Sequence, residues 1–510
     1  MQLVHNPWND FFLTLCPPLP TSKTLKLAVD YIIAPLSYII NKSFSQGIFP
    51  SSFKLTKVVP IHKKGPRNNI ENYRPISLLS NLSKVFEKLM YKRVYDYLCR
   101  FNLLYSKQFG SRKNHSTVDA VINSVNMIRS ENGVNNYVIG IFDLSKAFDT
   151  VNHTILLSKL DHYGIRGIVL DWFKSYLLNR QQLTVVNNTS SSILPVSIGV
   201  PQGSTLEPLL FLIYMNDIQY ACDTAELTLF ADNSNAFVTA NNLDIAFNLA
   251  NRCCDQLNAW FICNFLSINY TKTAYMLFCP TKKDDLLILN NHSIIIEDNI
   301  INRVFCTKFL GVYIDSQLNF KQHVNYLIKK INNIRGMIYS RRRYLPNSCF
   351  KGLFCALIYS ILQYCIEVYI STNKTTIEPL HIACNRALRT FQGVNRYYNV
   401  KQLYCNYEIL PIHLLGNLRV CKYIYRSLHF KDAAPNSSCN LFNVLTESCH
   451  VYPTRLKSTN YLYKRPNKAF YASYVNFGTY LWNLVPIDIR TSTSTDNFVL
   501  KYKQYLLDSW

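Results

Sequence analysis

Asp143, Asp232 and Asn233 are the side chains whose types and settings best suit metal chemistry. Asp143 closes the apolar run Tyr137–Phe142, and Asp232 sits with Asn233 between the runs Leu227–Phe230 and Ala236–Val238. An apolar run ending on an acid is how a buried strand delivers a carboxylate to a cleft. Two apolar runs around a polar, Asn-rich centre read as a β-hairpin with the acid at its tip. Phosphoryl transfer through two divalent ions needs carboxylates a few ångströms apart, and Mg²⁺ prefers hard oxygen ligands. Asp143 and Asp232 are far apart in sequence, so they meet only where the strand and the hairpin are neighbours in one sheet. Each alone is equally at home as an ordinary cap or turn residue. Asp149 reads either as a helix N-cap or as part of the same acidic group.

Other positions have chemistry only in company. Phe148 is either core or an aromatic beneath a nucleotide sugar, where it excludes a 2′-hydroxyl. In Gly199-Val200-Pro201-Gln202-Gly203, Gly203 permits close approach of backbone to a ligand, and Gln202 has the donors and acceptors to meet a nucleotide or template. The same residues also suit an ordinary turn. Lys272 in Asn269-Tyr270-Thr271-Lys272-Thr273 is either solvated or placed to protonate leaving pyrophosphate.

The elements that must position these residues are partly visible. The first 50 residues have a largely helical pattern ending near Gly47, and a strand is predicted over Thr56–Ile61, followed by the basic turn His62–Arg67. Val85, Phe86, Leu89, Val94 and Leu98 have helical spacing, with Ser83 as the expected N-cap. Helices broken at Gly164–Gly167 are predicted over Val151–Leu178, an apolar helix over Leu206–Tyr214, and a helix over Trp260–Leu266. Phe305–Ile314 reads as a strand or hairpin, and the chain beyond residue 320 as helical, basic and Tyr-rich. Strands mixed with helices without strict alternation argue for an α+β fold.

With 510 residues, several subdomains are expected. A hydrophobic content of 48% excludes a disordered chain. The net charge of +23 is uneven: residues 321–510 hold 25 Lys/Arg against 8 Asp/Glu. Such an excess at one end suits a polyanion, most simply nucleic acid. The 16 cysteines include no C-x-x-C pair and no zinc-knuckle spacing, which reads as free thiols. Leu27–Phe44 is interrupted by Asp30, Pro35 and Lys42, so an amphipathic helix is expected there, with no membrane span.

Taken in order, seven segments resemble the reverse transcriptase of non-LTR (LINE-type) retrotransposons, particularly the jockey-like group. They are Asn72–Ser80, Gln108–Arg112 with Ser116-Thr117, Phe142–Val151, Gly199–Ser204, Phe230–Asn233, Asn269–Thr273 and Phe309–Val312, within a resemblance spanning roughly residues 45–370. The resemblance implies a right-hand polymerase of fingers, palm and thumb with a helical basic C-terminal extension. A helical flank is expected over 1–44, fingers and palm over 45–315, a thumb-like region over 316–400 and the extension over 401–510. By the same resemblance Asp143 and Asp232, helped by the Leu144 carbonyl and a degenerate Asn233, bind two Mg²⁺ ions, or Mn²⁺. Phe148 becomes the sugar gate, Gln202 and Gly203 line the nucleotide and template pocket, and Lys272 is the acid. Arg112, Lys64 and Arg74 meet triphosphate or template. The implied partners are an RNA template, a DNA primer and dNTPs, and the implied setting is the nucleus.

Three positions depart from the family pattern, which has Asp at 233, Gly at 207 and an aromatic at 111; here they are Asn233, Glu207 and Ser111. A lost transition-state interaction of roughly 3–4 kcal/mol slows a reaction about 10²–10³-fold. A strongly impaired enzyme is therefore expected, with a non-catalytic nucleic-acid-binding protein as the alternative. The resemblance implies an endonuclease upstream of the polymerase in full-length relatives, and the roughly 50 residues ahead of the polymerase region here are expected to be too few for one.

Overall fold

A computed structural model describes residues 22–132, 136–142, 145–146, 150–280, 292–429 and 474–510. The chain forms two compact units, one within residues 1–105, 145–223 and 256–269, the other within 106–144, 224–255 and 270–510. Helices and strands are mixed without strict alternation, so the class is α+β as predicted.

In the first unit, strands Leu55–His62 and Tyr73–Leu78 pair antiparallel with Val59 opposite Ile76. Leu55–His62 also pairs in parallel with Arg180–Val186. Helix Asn81–Arg100 buries Phe86, Met90, Val94 and Leu98, a stripe with a four-residue repeat. Its N-cap is Ser80 and not the expected Ser83. Ser80 has the non-helical backbone a cap requires, and its hydroxyl accepts from the Leu82 amide at 3.3 Å. Ser83 is already inside the first turn, where its buried hydroxyl donates to Glu87 at 3.0 Å. Phe86, Trp172 and Tyr176 pack edge-on against buried Phe49, and Trp172 stacks on Tyr176. Helix Glu207–Met215 is buried from Leu209 onward on all faces, as its uninterrupted apolar sequence requires.

The second unit is built on a six-stranded sheet. Strand Tyr137–Phe142 lies between Asn233–Ala240 and Ala274–Phe278, antiparallel to both. Helix Thr117–Asn132 covers one face with Val121, Ile122, Val125 and Ile128 against Val138, Phe237, Met276 and Phe278. The same buried cluster continues through hairpin Cys306–Phe309/Val312–Asp315 into helices Lys321–Arg341, Lys374–Gln392, Ile412–His429 and Thr495–Asp508. The helix expected over Trp260–Leu266 is the last part of a longer one, Leu243–Cys263, and the chain turns away at Phe265, with φ of 52°. The longer helix escapes pattern reading because its early turns mix Asn, Asp and Arg with the apolar residues. None of the described cysteines forms a disulfide, and no described helix is long and apolar enough to cross a membrane.

One buried histidine couples this unit to pH. His323 is 1% exposed and accepts from the Tyr313 amide at 3.4 Å. Burial, helped by the Lys308 and Lys330 charges, pushes its pKa down to about 4. A base depressed on folding takes up its proton in the unfolded chain first, so stability is lost as pH falls from about 6.5 towards 4. Denaturant unfolding at pH 7.5 and 4.5 should show this residue costing roughly 2–3 kcal/mol at the lower pH. His323→Gln should remove most of that difference.

Candidate active site

The Asp232 hairpin is a tight one within the second unit. Strands Glu226–Phe230 and Asn233–Ala240 pair up to Phe230 opposite Asn233, leaving Ala231 and Asp232 as a two-residue turn. Such turns need a positive φ at the first turn position, usually met by Gly. Here Ala231 supplies it at 54°, a left-handed conformation costing roughly 1–2 kcal/mol outside glycine. Asp232 and Asn233 are half-buried.

The neighbouring strand fixes what faces this tip. In the ladder with Asn233–Ala240, Ile141 stands opposite Ala236, so the chain leaves Phe142 at the end of the sheet where the turn projects. On the other side Phe142 stands opposite Ala274, which puts exposed Lys272, two residues before it, at that end as well. The adjacency that sequence alone left conditional is therefore present. Asp143, Leu144, Phe148 and Asp149 lie outside the described residues.

The donors at the tip are the Asp232 carboxylate and the Asn233 amide, hard oxygens of the kind Mg²⁺ or Mn²⁺ takes. Among the described residues no three His, Cys, Asp or Glu side chains gather into a metal cluster. The donor set at the tip fits a hard divalent cation, and it needs at least one acid from elsewhere to complete it. Arg112 belongs to the same unit, where its guanidinium donates to the Gln108 carbonyl at 3.4 Å. Ser111, in place of an aromatic, is exposed with φ of 54°.

The other expected site residues belong to the first unit. Lys64 and Arg74 are both exposed on the hairpin Leu55–His62/Tyr73–Leu78. Hydrogen bonds that order its turn include His62 with the Gly65 carbonyl at 2.9 Å, Asn72 to Pro66 at 2.7 Å, and Tyr73 to Arg67 at 2.8 Å. The same hairpin holds the Pro201-Gln202-Gly203 loop, because the Ser77 amide donates to the Gln202 carbonyl at 2.8 Å. Gly203 has φ of +102°, and a Cβ there would stand 3.3 Å from the Ser77 carbonyl oxygen, so this approach favours glycine.

Below the loop lies a set of anchors that sequence reading missed. Buried Glu87 accepts from Ser83 and, at 2.7 Å, from the Thr205 amide. Burial raises the Glu87 pKa, and the Thr205 hydrogen bond opposes that rise. His153 meets the Gly199 carbonyl at 2.7 Å. Glu87 shows in sequence only as a polar interruption of a helical stripe, and no local pattern ties it to residue 205.

Glu207, where the family pattern has Gly, is engaged by the loop before it: the Ser204 hydroxyl accepts from the Glu207 amide at 2.9 Å, and the Glu207 carboxylate accepts from the Gly203 amide at 2.6 Å. The spacing is that of a capping box, but the carboxylate takes the Gly203 amide and not that of Ser204, and the N-cap position of the helix, Leu206, makes no side-chain hydrogen bond, so the pair ties the loop to the first residue of the helix. Replacing Glu207 with Ala should cost about 1 kcal/mol in urea unfolding, while Gln, which keeps an acceptor, should cost less than half of that. Equal stability of the Ala variant and the parent would contradict a stabilising role for the Gly203 contact.

Comparison with known proteins agrees with these elements. Residues 61–314 match the family described as Reverse transcriptase (RNA-dependent DNA polymerase). The chain is 29% identical over 397 residues to the Drosophila melanogaster protein named "Probable RNA-directed DNA polymerase from transposon BS", covering 73% of this chain and 42% of that one. It is 25% identical over 401 residues to the RNA-directed DNA polymerase from mobile element jockey of the same organism, covering 75% and 42%. The chain thus spans less than half the length of these relatives. A telomerase structure from Candida albicans aligns with a TM-score of 0.37 and 13% identity over 72% of this chain and 67% of that one, too distant to carry an argument. On the family match and its retrotransposon relatives, residues 61–314 of this chain are a reverse transcriptase domain of the kind found in non-LTR retrotransposons.

Proposed function

We propose that this chain is an RNA-directed DNA polymerase that extends a DNA primer on an RNA template, with a rate limited by Asn233. The observation that supports this best is the pairing of strand Tyr137–Phe142 with the Asp232 hairpin, in a chain of this family. Asp143, the Leu144 carbonyl and Asp232 would hold two divalent ions, with Asn233 offering a carbonyl oxygen where a second carboxylate is the rule. When bound, those ions activate the primer 3′-hydroxyl and neutralise charge on the phosphates. The 3′-oxygen bonds to the α-phosphorus of a dNTP as the bond to pyrophosphate breaks.

Lys272 would give its proton to the departing pyrophosphate. Phe148 would close the space beside the sugar to a 2′-hydroxyl, and Gln202 with Gly203 would line the nucleotide and template pocket. Arg112, Lys64 and Arg74 would meet phosphate through charge-assisted hydrogen bonds. Residues 45–315 would serve as fingers and palm, 316–400 as a thumb, and the basic 401–510 region as a further nucleic-acid contact. Asn233 favours a second reading, in which the chain binds primer–template without extending it.

Primer extension separates the two. Asn233→Asp should extend an RNA-templated DNA primer in Mg²⁺ about 10²–10³-fold faster than the parent chain, and Asp232→Ala should be inert. If no variant extends while all bind primer–template, the binding reading holds.

A further inference from the structure

Residues 107–110 run along the open edge of the Asp232 hairpin. The Leu229 amide donates to the Lys107 carbonyl at 3.0 Å, and the Phe109 amide donates to the Leu229 carbonyl at 2.8 Å. Backbone pairing stops there, short of the strained turn. The side chain of Gln108, 3% exposed, reaches the rest of the way. Its Oε1 accepts from the Gly110 amide at 2.9 Å and from the Ala231 amide at 3.2 Å.

This contact has little tolerance. A Cβ on residue 110 would stand 2.1 Å from the Ala231 nitrogen, so only glycine admits the approach. Turning Oε1 towards the two amides leaves Nε2 buried without a hydrogen-bond partner among the described residues. A buried amide satisfied at one end alone is a poor source of stability. What it provides is geometry: it grips the residue before Asp232, at the one turn position whose conformation is unfavourable for its side chain.

We propose that Gln108 is the positioning residue of the metal-binding tip, holding Ala231 left-handed so that Asp232 is aimed at its cation. The proposal rests on the polymerase reading for the cation and on the hydrogen bonds above for the grip. Two measurements on the full chain keep these apart. Hydrogen–deuterium exchange of the peptide 227–236 reports the grip alone. Mn²⁺ binding followed by electron paramagnetic resonance, with Asp232→Ala as the blank, reports the metal site.

Gln108→Leu should speed exchange in that peptide about tenfold and weaken the Asp232-dependent Mn²⁺ site about tenfold, with primer–template affinity unchanged. Gln108→Glu, which keeps the acceptor, should leave exchange close to that of the parent. Unchanged exchange in Gln108→Leu overturns the grip. Faster exchange with unchanged Mn²⁺ affinity overturns the positioning role. If neither the parent nor Asn233→Asp shows an Asp232-dependent Mn²⁺ site, the polymerase reading fails, and exchange still decides the grip.

Discussion

The chemistry assigned to this chain depends on one antiparallel ladder, between Tyr137–Phe142 and Asn233–Ala240. Residues of both strands are buried on both faces: Val138, Ile139, Ile141, Ala236 and Val238 are each 0% exposed. In a sheet covered on both sides, slipping the register by one residue would exchange every side chain between faces and misplace the bulky ones. Core packing thus sets how far the Asp232 turn projects beyond Phe142. The end of the strand at Phe142 and the turn at Asp232 owe their relation to Val, Ile and Ala, residues with no chemistry of their own. The helix Thr117–Asn132 and the strand Ala274–Phe278 that confine this ladder serve the site in the same indirect way.

Two departures from the family pattern act in opposite senses once the contacts are known. Asn233 subtracts a negative charge where hard cations would bind, and nothing described nearby replaces it among the metal-ligating side chains. Glu207 adds a charge but engages it with the Gly203 amide, so it ties the start of its helix to the loop. The loop that carries Gln202 is held from three sides, by Ser77, by Glu87 through Thr205, and by Glu207.

Local patterns were legible in the sequence. The hairpin around Asp232, the strand before Asp143, the break between helices at Gly164–Gly167 and the apolar helix after Gly203 all have their expected places. What local reading missed was set by partners distant in the chain. Glu87 looks like a surface residue until Thr205, 118 residues away, donates to it. Gln108 belongs to a motif recognisable by resemblance, yet its grip on Ala231, 123 residues on, has no trace in spacing. The N-cap at Ser80 was displaced by three residues because two serines offer the same side chain, and only backbone geometry distinguishes them. The helix ending at Cys263 was shortened because its polar early turns weaken the periodic signal.

Two acids from separate parts of the chain, Asp143 and Asp232, are proposed to share a divalent site at one end of this sheet. Iron-directed cleavage tests it most directly: Fe²⁺ replaces the native ion, and ascorbate with peroxide generates radicals that cut the backbone close to the bound metal. The account predicts two cut sites in the same molecule, around residues 143 and 232, both suppressed by excess Mg²⁺ and both lost in Asp232→Ala. Cutting at only one of these places, or cutting that persists in Asp232→Ala, would contradict it.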